Sequence, residues 1–317
     1  MSKPSKPLKI VTLPSGMRVA FRHRDDMKKV ARNRATAPLH VAPTTLPVDC
    51  TGDATVACPM DGNDQLGDCG PVMCAHVNGI RSYGQGKPGF SELQAPLAAL
   101  ESQYETVSGG DNGTDEDMLV GASGGPDGAA APGIWLSGIA GDPTAIVVDH
   151  LDVDPSNVPL IQYCHDWFYG VCMAWSVPDA FLSSFSSGGS FLDAMTPDPD
   201  NGHFTPLSDV DQNGNYRLWT WGGWVWVSQV FVMSVDPETF TTFSPLQFLK
   251  STGYDSRGRH VSDVAAAWIA IGGNASLVQN VVSQFPAKGA VSGSNPPSAG
   301  PSAGPSAGPS APPPATA

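Results

Sequence analysis

The chain has 317 residues, enough for one large domain or two ordinary ones, and 41% of them are apolar, enough for a substantial core. It contains no run of 18 apolar residues, which argues against a transmembrane helix. Its net charge of −13 is uneven: residues 1–36 hold 10 Lys or Arg against Asp25 and Asp26, so the remainder is strongly acidic, and an acidic body disfavours nucleic acid as a partner.

The N-terminus, MSKPSKPLKIVTLPSGMRVAF, has no continuous apolar stretch of the kind a Sec-type signal peptide needs. Residues 1–45 read as a basic arm. It suits an acidic partner or, equally, the acidic body of its own chain, and its position allows it to lie over a cleft as a pro-segment. Six cysteines are too few for a disulfide scaffold, although Cys50 and Cys58 could pair across a short loop.

The stretch GNDQLGDCGPVMCAH, 62–76, is the most informative in the chain. Asp68 is placed to cap a helix, and Pro71 falls in the first turn, where a missing N–H costs little. Val72, Met73, His76, Val77 and Ile80 then share roughly one face, and Gly84 marks the end. The helix begins at Cys69. A thiol there feels the helix dipole, which favours the reactive thiolate. Its backbone N–H has no acceptor within the helix, and with the side-chain amide of Asn63 it would make a two-donor oxyanion hole. The negative Asp68 next door opposes the thiolate unless its carboxylate is spent on the cap. His76 is too far along the helix to act as the base, so the base must come from elsewhere. The plain alternative is a small core thiol at the start of a buried helix.

Further along, FSELQAPLAALESQYETVS (90–108) reads as a second helix, and the Gly/Asp-rich segment after it as loop with one turn near 115–121. TAIVVDHLDV reads as a strand, NVPLIQYCHDWFYGV as a helix and VCMAWSV as a strand. GHFTPLSDVDQNGNYRLWTWGGWVWVSQVFVMSV reads as strands joined at DQNGN. Helices first and strands later predict an α+β chain. His150 and His165 read as structural, and Cys164 and Cys172 as buried apolar positions. No clustered His/Cys spacing suggests zinc, and no cofactor or metal is expected. DVDQNG imitates the start of a calcium loop, but Thr220 stands where a bidentate Glu is required, so it reads as a hairpin turn. Trp219, Trp221, Trp224 and Trp226 alternate as in strands, either packing in the sheet or offering an aromatic platform.

An amide six residues before a cysteine, Gly-Asp-Cys opening a helix and a later Gly-His starting a β segment resemble the papain-like cysteine peptidases. GNDQLGDC (62–69), GTDEDML (113–119), Gly202-His203 and TWG (220–222) resemble a bacterial and phage branch of that superfamily. The resemblance spans roughly 46–240. It implies a papain-like fold over 46–286, Cys69 as nucleophile, His203 as general base and Asn63 as oxyanion donor in place of the usual glutamine. It also implies a peptide or other amide as substrate. The Asn that orients the histidine in the family falls at Trp219, so that amide is missing, and Asp209 or Thr220 is left as the orienting group. Pro206 interrupts the apolar strand expected after His203. These departures leave a catalytically weak papain-fold interaction protein, virion-associated or cytoplasmic rather than Sec-secreted, as the alternative to a thiol hydrolase. A cell-wall-binding or cell-wall-cleaving module using the tryptophans is a third reading.

Residues 287–317 form a Pro/Ser/Ala/Gly-rich tail in which PSAG recurs with no large apolar side chain, a composition that cannot offset the entropy of ordering. Removing 295–317 should therefore leave the melting temperature nearly unchanged in a thermal scan; a drop of several degrees would show that the tail docks.

Overall fold

A computed structural model describes residues 8–27, 59–84, 87–109, 114, 116–120 and 133–290. Cys50 and Cys58, the repeat-bearing tail, and the parts of the expected arm at 1–7 and 28–45 lie outside the described residues.

Part of the expected arm is folded into the body. Strands β1 (Lys9–Thr12) and β2 (Arg18–Phe21) form an antiparallel hairpin, and Val19, Ala20 and Phe21 are fully buried. The backbone N–H of Ala20 donates to the carbonyl of Asn63, and that of Gly202 to the carbonyl of Arg22. Arg24, 1% exposed, donates to the carbonyls of Ala174 and Asp236 and lies 3.4 Å from the Glu238 carboxylate. The basic charge here serves the chain's own acidic body.

Helix α1 (Cys69–Tyr83) ends where Gly84 takes the left-handed conformation, φ 57°. Every residue from Cys69 to Arg81 is buried, so the one-sided apolar pattern expected from the sequence understates how enclosed this helix is. Its polar members find partners inside, although Arg81 uses only Nη2 for them. Arg81 donates to the Phe168 and Thr242 carbonyls, and Asn78 bridges the Ala145 carbonyl and the Trp135 indole N–H.

Helix α2 (Leu97–Ser108) starts later than expected, because Pro96 at its N-cap holds extended backbone (φ −64°, ψ 123°) and residues 91–96 precede it without helix. Short helices α3 (Glu116–Val120) and α4 (Ile134–Ser137) follow. Strand β3 (Asp149–Val153) leads to α5 (Val158–Phe168), which is capped by the Asn157 side chain accepting from Leu160 N–H at 3.2 Å. Strand β4 (Val171–Ser176), short helix α6 (Asp179–Ser184) and strands β5 (Ser190–Phe191), β6 (Gly202–Val210), β7 (Tyr216–Thr220) and β8 (Gly223–Val227) come next. The stretch after β8, expected as strand, is instead helix α7 (Gln229–Ser234). Ser228 caps it, and Phe231 and Val232 are buried together while Val230 and Met233 are exposed, a helical rather than an alternating pattern. Strand β9 (Glu238–Phe243) and helices α8 (Val261–Ala270) and α9 (Ala275–Val282) complete the described chain.

The seven strands β3 to β9 form one sheet in the order β3-β9-β4-β6-β7-β8-β5, antiparallel except for the β5–β8 pair. The fold is α+β: a helical part opened by α1, then a large antiparallel-rich sheet, the order that a papain-like chain is expected to show. One apolar cluster packs α5 and α8 with the sheet; another fills the space between α1 and Cys172, Ala174, Phe204 and Phe240 of β4, β6 and β9. Pro206 sits opposite Cys172 in the β4–β6 ladder, and the β6–β7 register shifts between Leu207 and Val210, so the strand accommodates the proline beside an irregularity. The DQNGN segment is a hairpin turn whose Asp211 carboxylate is spent on Asn213 and Asn215.

Gly170, φ 117°, joins α5 to β4 where a side-chain carbon would meet the Leu207 carbonyl oxygen at 2.1 Å, a backbone atom that cannot swing aside. Gly170→Ala should therefore cost at least about 1–3 kcal/mol from backbone strain alone, measured by denaturant unfolding. An unchanged midpoint would mean that β6 does not approach this closely.

Candidate active site

Cys69, His203, Asn63 and Thr220 come together around one small cavity, joined by Pro59, Met60, Val72, Met73, His76, Phe204, Trp219 and Trp221. Its volume is about 10 Å³, at the lower end of the roughly 10–15 Å³ that a single water needs, so no substrate fits in this conformation.

Each side chain arrives for a local reason. Cys69 is the first residue of α1, with the sharp turn 61–67 before it; Gly62 in that turn has φ 89°. His203 is the second residue of β6, opposite Trp175 of β4. Thr220 ends β7, and its Oγ1 lies 2.7 Å from His203 Nε2. Trp221 follows in the β7–β8 turn at φ 49° and stacks on the His203 ring, centroids 5.0 Å apart. Phe21 approaches the same ring edge-on at 6.1 Å. Asp209, the other candidate for orienting His203, instead pairs with Arg217 at 2.9 Å and does not line the cavity. Trp219, at the position expected for an orienting Asn, donates its indole N–H to Ser208 Oγ at 2.6 Å. Trp224 and Trp226, half-buried on β8, have the Arg217 guanidinium 4.8 and 4.9 Å from their ring centroids, so their faces are partly occupied.

The thiol and imidazole are neighbours but are not hydrogen-bonded. Among the described residues His203 Nδ1 has no hydrogen-bond partner. Burial pushes the Cys69 thiol up to about 12, and the backbone of Phe204 and the first amides of α1 offset this only in part. Burial likewise pulls His203 down to about 3, and charge on His76 acts in the same direction. The closed site holds a neutral thiol beside a neutral ring. If Nε2 carries the ring proton toward Thr220, the bare Nδ1 is the nitrogen able to take a proton from a thiol.

Asp68 does not cap α1, contrary to expectation. Its side chain makes no capping hydrogen bond, and Asn63 Nδ2 donates to Asp68 Oδ1 at 3.5 Å instead. Fully buried, and with Glu101 and Asp61 adding repulsion, Asp68 is raised to about 8. Burial thus favours the neutral form of the carboxyl that threatened the thiolate.

The N-terminal segment runs alongside the site without lining the cavity. Residues 20–27 run from the Ala20–Asn63 hydrogen bond to the Gly202–Arg22 bond beside His203, and Met27 belongs to the same apolar cluster as Cys69. Sequence reasoning found Cys69, His203, Asn63 and Thr220 but missed Phe21, Met27 and Trp221. The first two lie far away in the chain, and the stacking of Trp221 follows from a positive-φ turn that no residue pattern marks.

No protein-family model matches the chain, and no curated protein matches it in sequence. Among solved structures it is similar to xylellain, a cysteine protease from Xylella fastidiosa, at 9% identity and TM-score 0.41 over 68% of this chain and 99% of that one. It is similar at 8% identity and TM-score 0.41 to the cysteine protease and lectin-like domains of Cwp84, a surface layer associated protein of Clostridium difficile, over 68% of this chain and 54% of that one. Digestive procathepsin L 3 of the Tenebrio molitor larval midgut is similar at 14% identity and TM-score 0.40, over 67% and 76%.

The buried groups set a pH dependence of stability. His203 (about 3) and His165 (about 4) lie below their ordinary 6.5, so their contribution is complete above pH 6.5 and is lost as pH falls toward 4 and below. Asp68, raised from 3.8 to about 8, acts oppositely: its burial costs progressively more as pH rises from about 4 to about 8. Two histidines outweigh one carboxyl on the acid side, so urea midpoints should peak near pH 6.5 and decline toward pH 8, and Asp68→Asn should flatten the alkaline decline. A midpoint that climbs steadily to pH 8 would contradict the buried, protonated carboxyl.

Proposed function

We propose that the chain is a papain-like thiol hydrolase of peptide or other amide bonds, held in a closed state. The observation that carries this reading is the convergence of Cys69, His203, Asn63 and Thr220, drawn from α1, β6, a preceding turn and β7, on one cavity. In this reading Cys69 Sγ attacks the carbonyl carbon and His203 Nδ1 receives the thiol proton, later giving it to the leaving amine. The Cys69 backbone N–H and the Asn63 amide hold the developing oxyanion. Thr220 takes the place of the orienting amide, and Trp221 fixes the plane of the ring by stacking. In this reading the segment 20–27 braces the Asn63 turn and the start of β6 through its backbone hydrogen bonds, and opening of the cavity would rehydrate both groups and bring their proton affinities together.

A second reading, a papain-fold interaction protein without efficient catalysis, is favoured by the unbonded thiol and ring and by Trp219 where the orienting Asn is expected. The two separate on thiol chemistry. Phe21 seals the His203 ring, and Phe21→Ala, at about 3–5 kcal/mol of stability, loosens that seal. In a Phe21→Ala chain whose circular dichroism remains native, iodoacetamide at pH 6 should label Cys69 ahead of Cys74, Cys164 and Cys172, and adding His203→Ala should slow that labelling. Asn63→Ala should leave labelling unchanged, since alkylation develops no oxyanion, yet cut amide hydrolysis roughly 10²-fold or more. Labelling of Cys69 no faster than that of Cys74 would leave the interaction protein as the reading that stands.

A further inference from the structure

We propose that Asp68 is a positioning residue for Asn63: its buried carboxyl holds the Asn63 amide by one N–H and so fixes the orientation in which that amide faces the cavity beside Cys69. The geometry is enclosed. Asn63 is 2% exposed and Asp68 is fully buried, so neither can turn to bulk water. Asn63 Nδ2 reaches Asp68 Oδ1 at 3.5 Å, while Asn63 Oδ1 and Asp68 Oδ2 have no hydrogen-bond partner among the described residues. A primary amide has two N–H donors. With one spent on Asp68, the second is left for the cavity that Asn63 shares with Cys69.

The proton on Asp68 belongs to this arrangement. The groups facing the carboxyl are Asp61 and Asn63 of the preceding turn, Glu101 of α2 and Cys69 of α1, while the Arg22 side chain, just after β2, packs along the neighbouring Gly67. Asp68 Oδ2 and Glu101 Oε1 both lie about 3 Å from one point beside Gly62, where a side-chain carbon is absent. The neutral acid keeps Oδ1 as a mild acceptor for Asn63 and adds no charge to the neighbourhood of Glu101. Once ionised, Asp68 binds the amide more tightly and places a negative charge beside the position where the thiolate and oxyanion must form. The protonated form is the productive one.

The catalytic meaning rests on the hydrolase reading, but the contact does not, and nitrogen and carbon NMR of the full chain test it directly. The two side-chain N–H signals of Asn63 should stay distinct and exchange slowly. They should shift with pH with the same midpoint as the Asp68 carboxyl carbon, near pH 8. In Asp68→Asn, whose side-chain oxygen can still accept, the signals should stay distinct but stop titrating; in Asp68→Ala they should broaden and exchange at least 10-fold faster. Asn63 signals indifferent both to pH between 6 and 10 and to Asp68→Ala would overturn the proposal, whatever the activity. Where fluorescein-labelled casein is cleaved, Asp68→Ala should lower kcat about 10-fold with little change in KM, Asp68→Asn should restore it, and adding Asp68→Ala to Asn63→Ala should cost nothing more. A normal kcat in Asp68→Ala would overturn the positioning role, whereas a normal kcat in Asn63→Ala would count against the hydrolase reading alone.

Discussion

The enclosure of α1 is the constraint on which the rest of the structure depends. A helix buried from Cys69 to Arg81 must have every polar side chain answered from within, and Asn78 and Arg81 find their partners on the 133–147 segment and on the sheet side. The same enclosure brings the N-terminus of α1 against β6, which is why a cysteine at residue 69 and a histidine at residue 203 share a cavity. Close packing also makes the resting chemistry inert, since an ion pair of thiolate and imidazolium would have to form with almost no water to support it. In the proposed hydrolase, the low dielectric that would sharpen an oxyanion hole in an open site would suppress the Cys69 thiolate in the closed one.

How much of this could be read from the residues varied with how local the cause was. The start of α1 was legible because Gly-Asp-Cys-Gly-Pro carries its own turn and first-turn chemistry, and the β6–β7 hairpin because Asp211 to Asn215 close on themselves. The α7 segment was misread because QVFVMS is apolar enough to suit either period, and only the Ser228 cap and the burial of Phe231 with Val232 decide for helix. Asp68 was misread for a different reason. An aspartate before a helix is ordinarily a cap, but here the carboxyl is drawn into the turn toward Asn63. The N-terminal segment left its placement open, because the charge of a stretch does not say which acidic surface it meets; the Arg24–Glu238 contact is a tertiary fact.

The site therefore rests on two kinds of support. Thr220, Trp221 and Phe21 hold the imidazole by one hydrogen bond and two ring contacts, giving it a fixed plane. The turn at 61–68 holds the other half through glycine at Gly62 and the Asn63–Asp68 contact. The two halves meet at the cavity, and the chain segment that ties them from outside is β2 with the residues after it.

That tie is not uniform along its length. Its outer part is a two-stranded hairpin, half-buried to exposed along β1 and buried along most of β2, while its inner end is clamped by Arg24, a fully enclosed cation holding two carbonyls and facing Glu238. Water can invade a hairpin one rung at a time, but it can reach a buried guanidinium only when the whole end comes free. The outer strand can thus fray while Arg24 keeps the inner end docked.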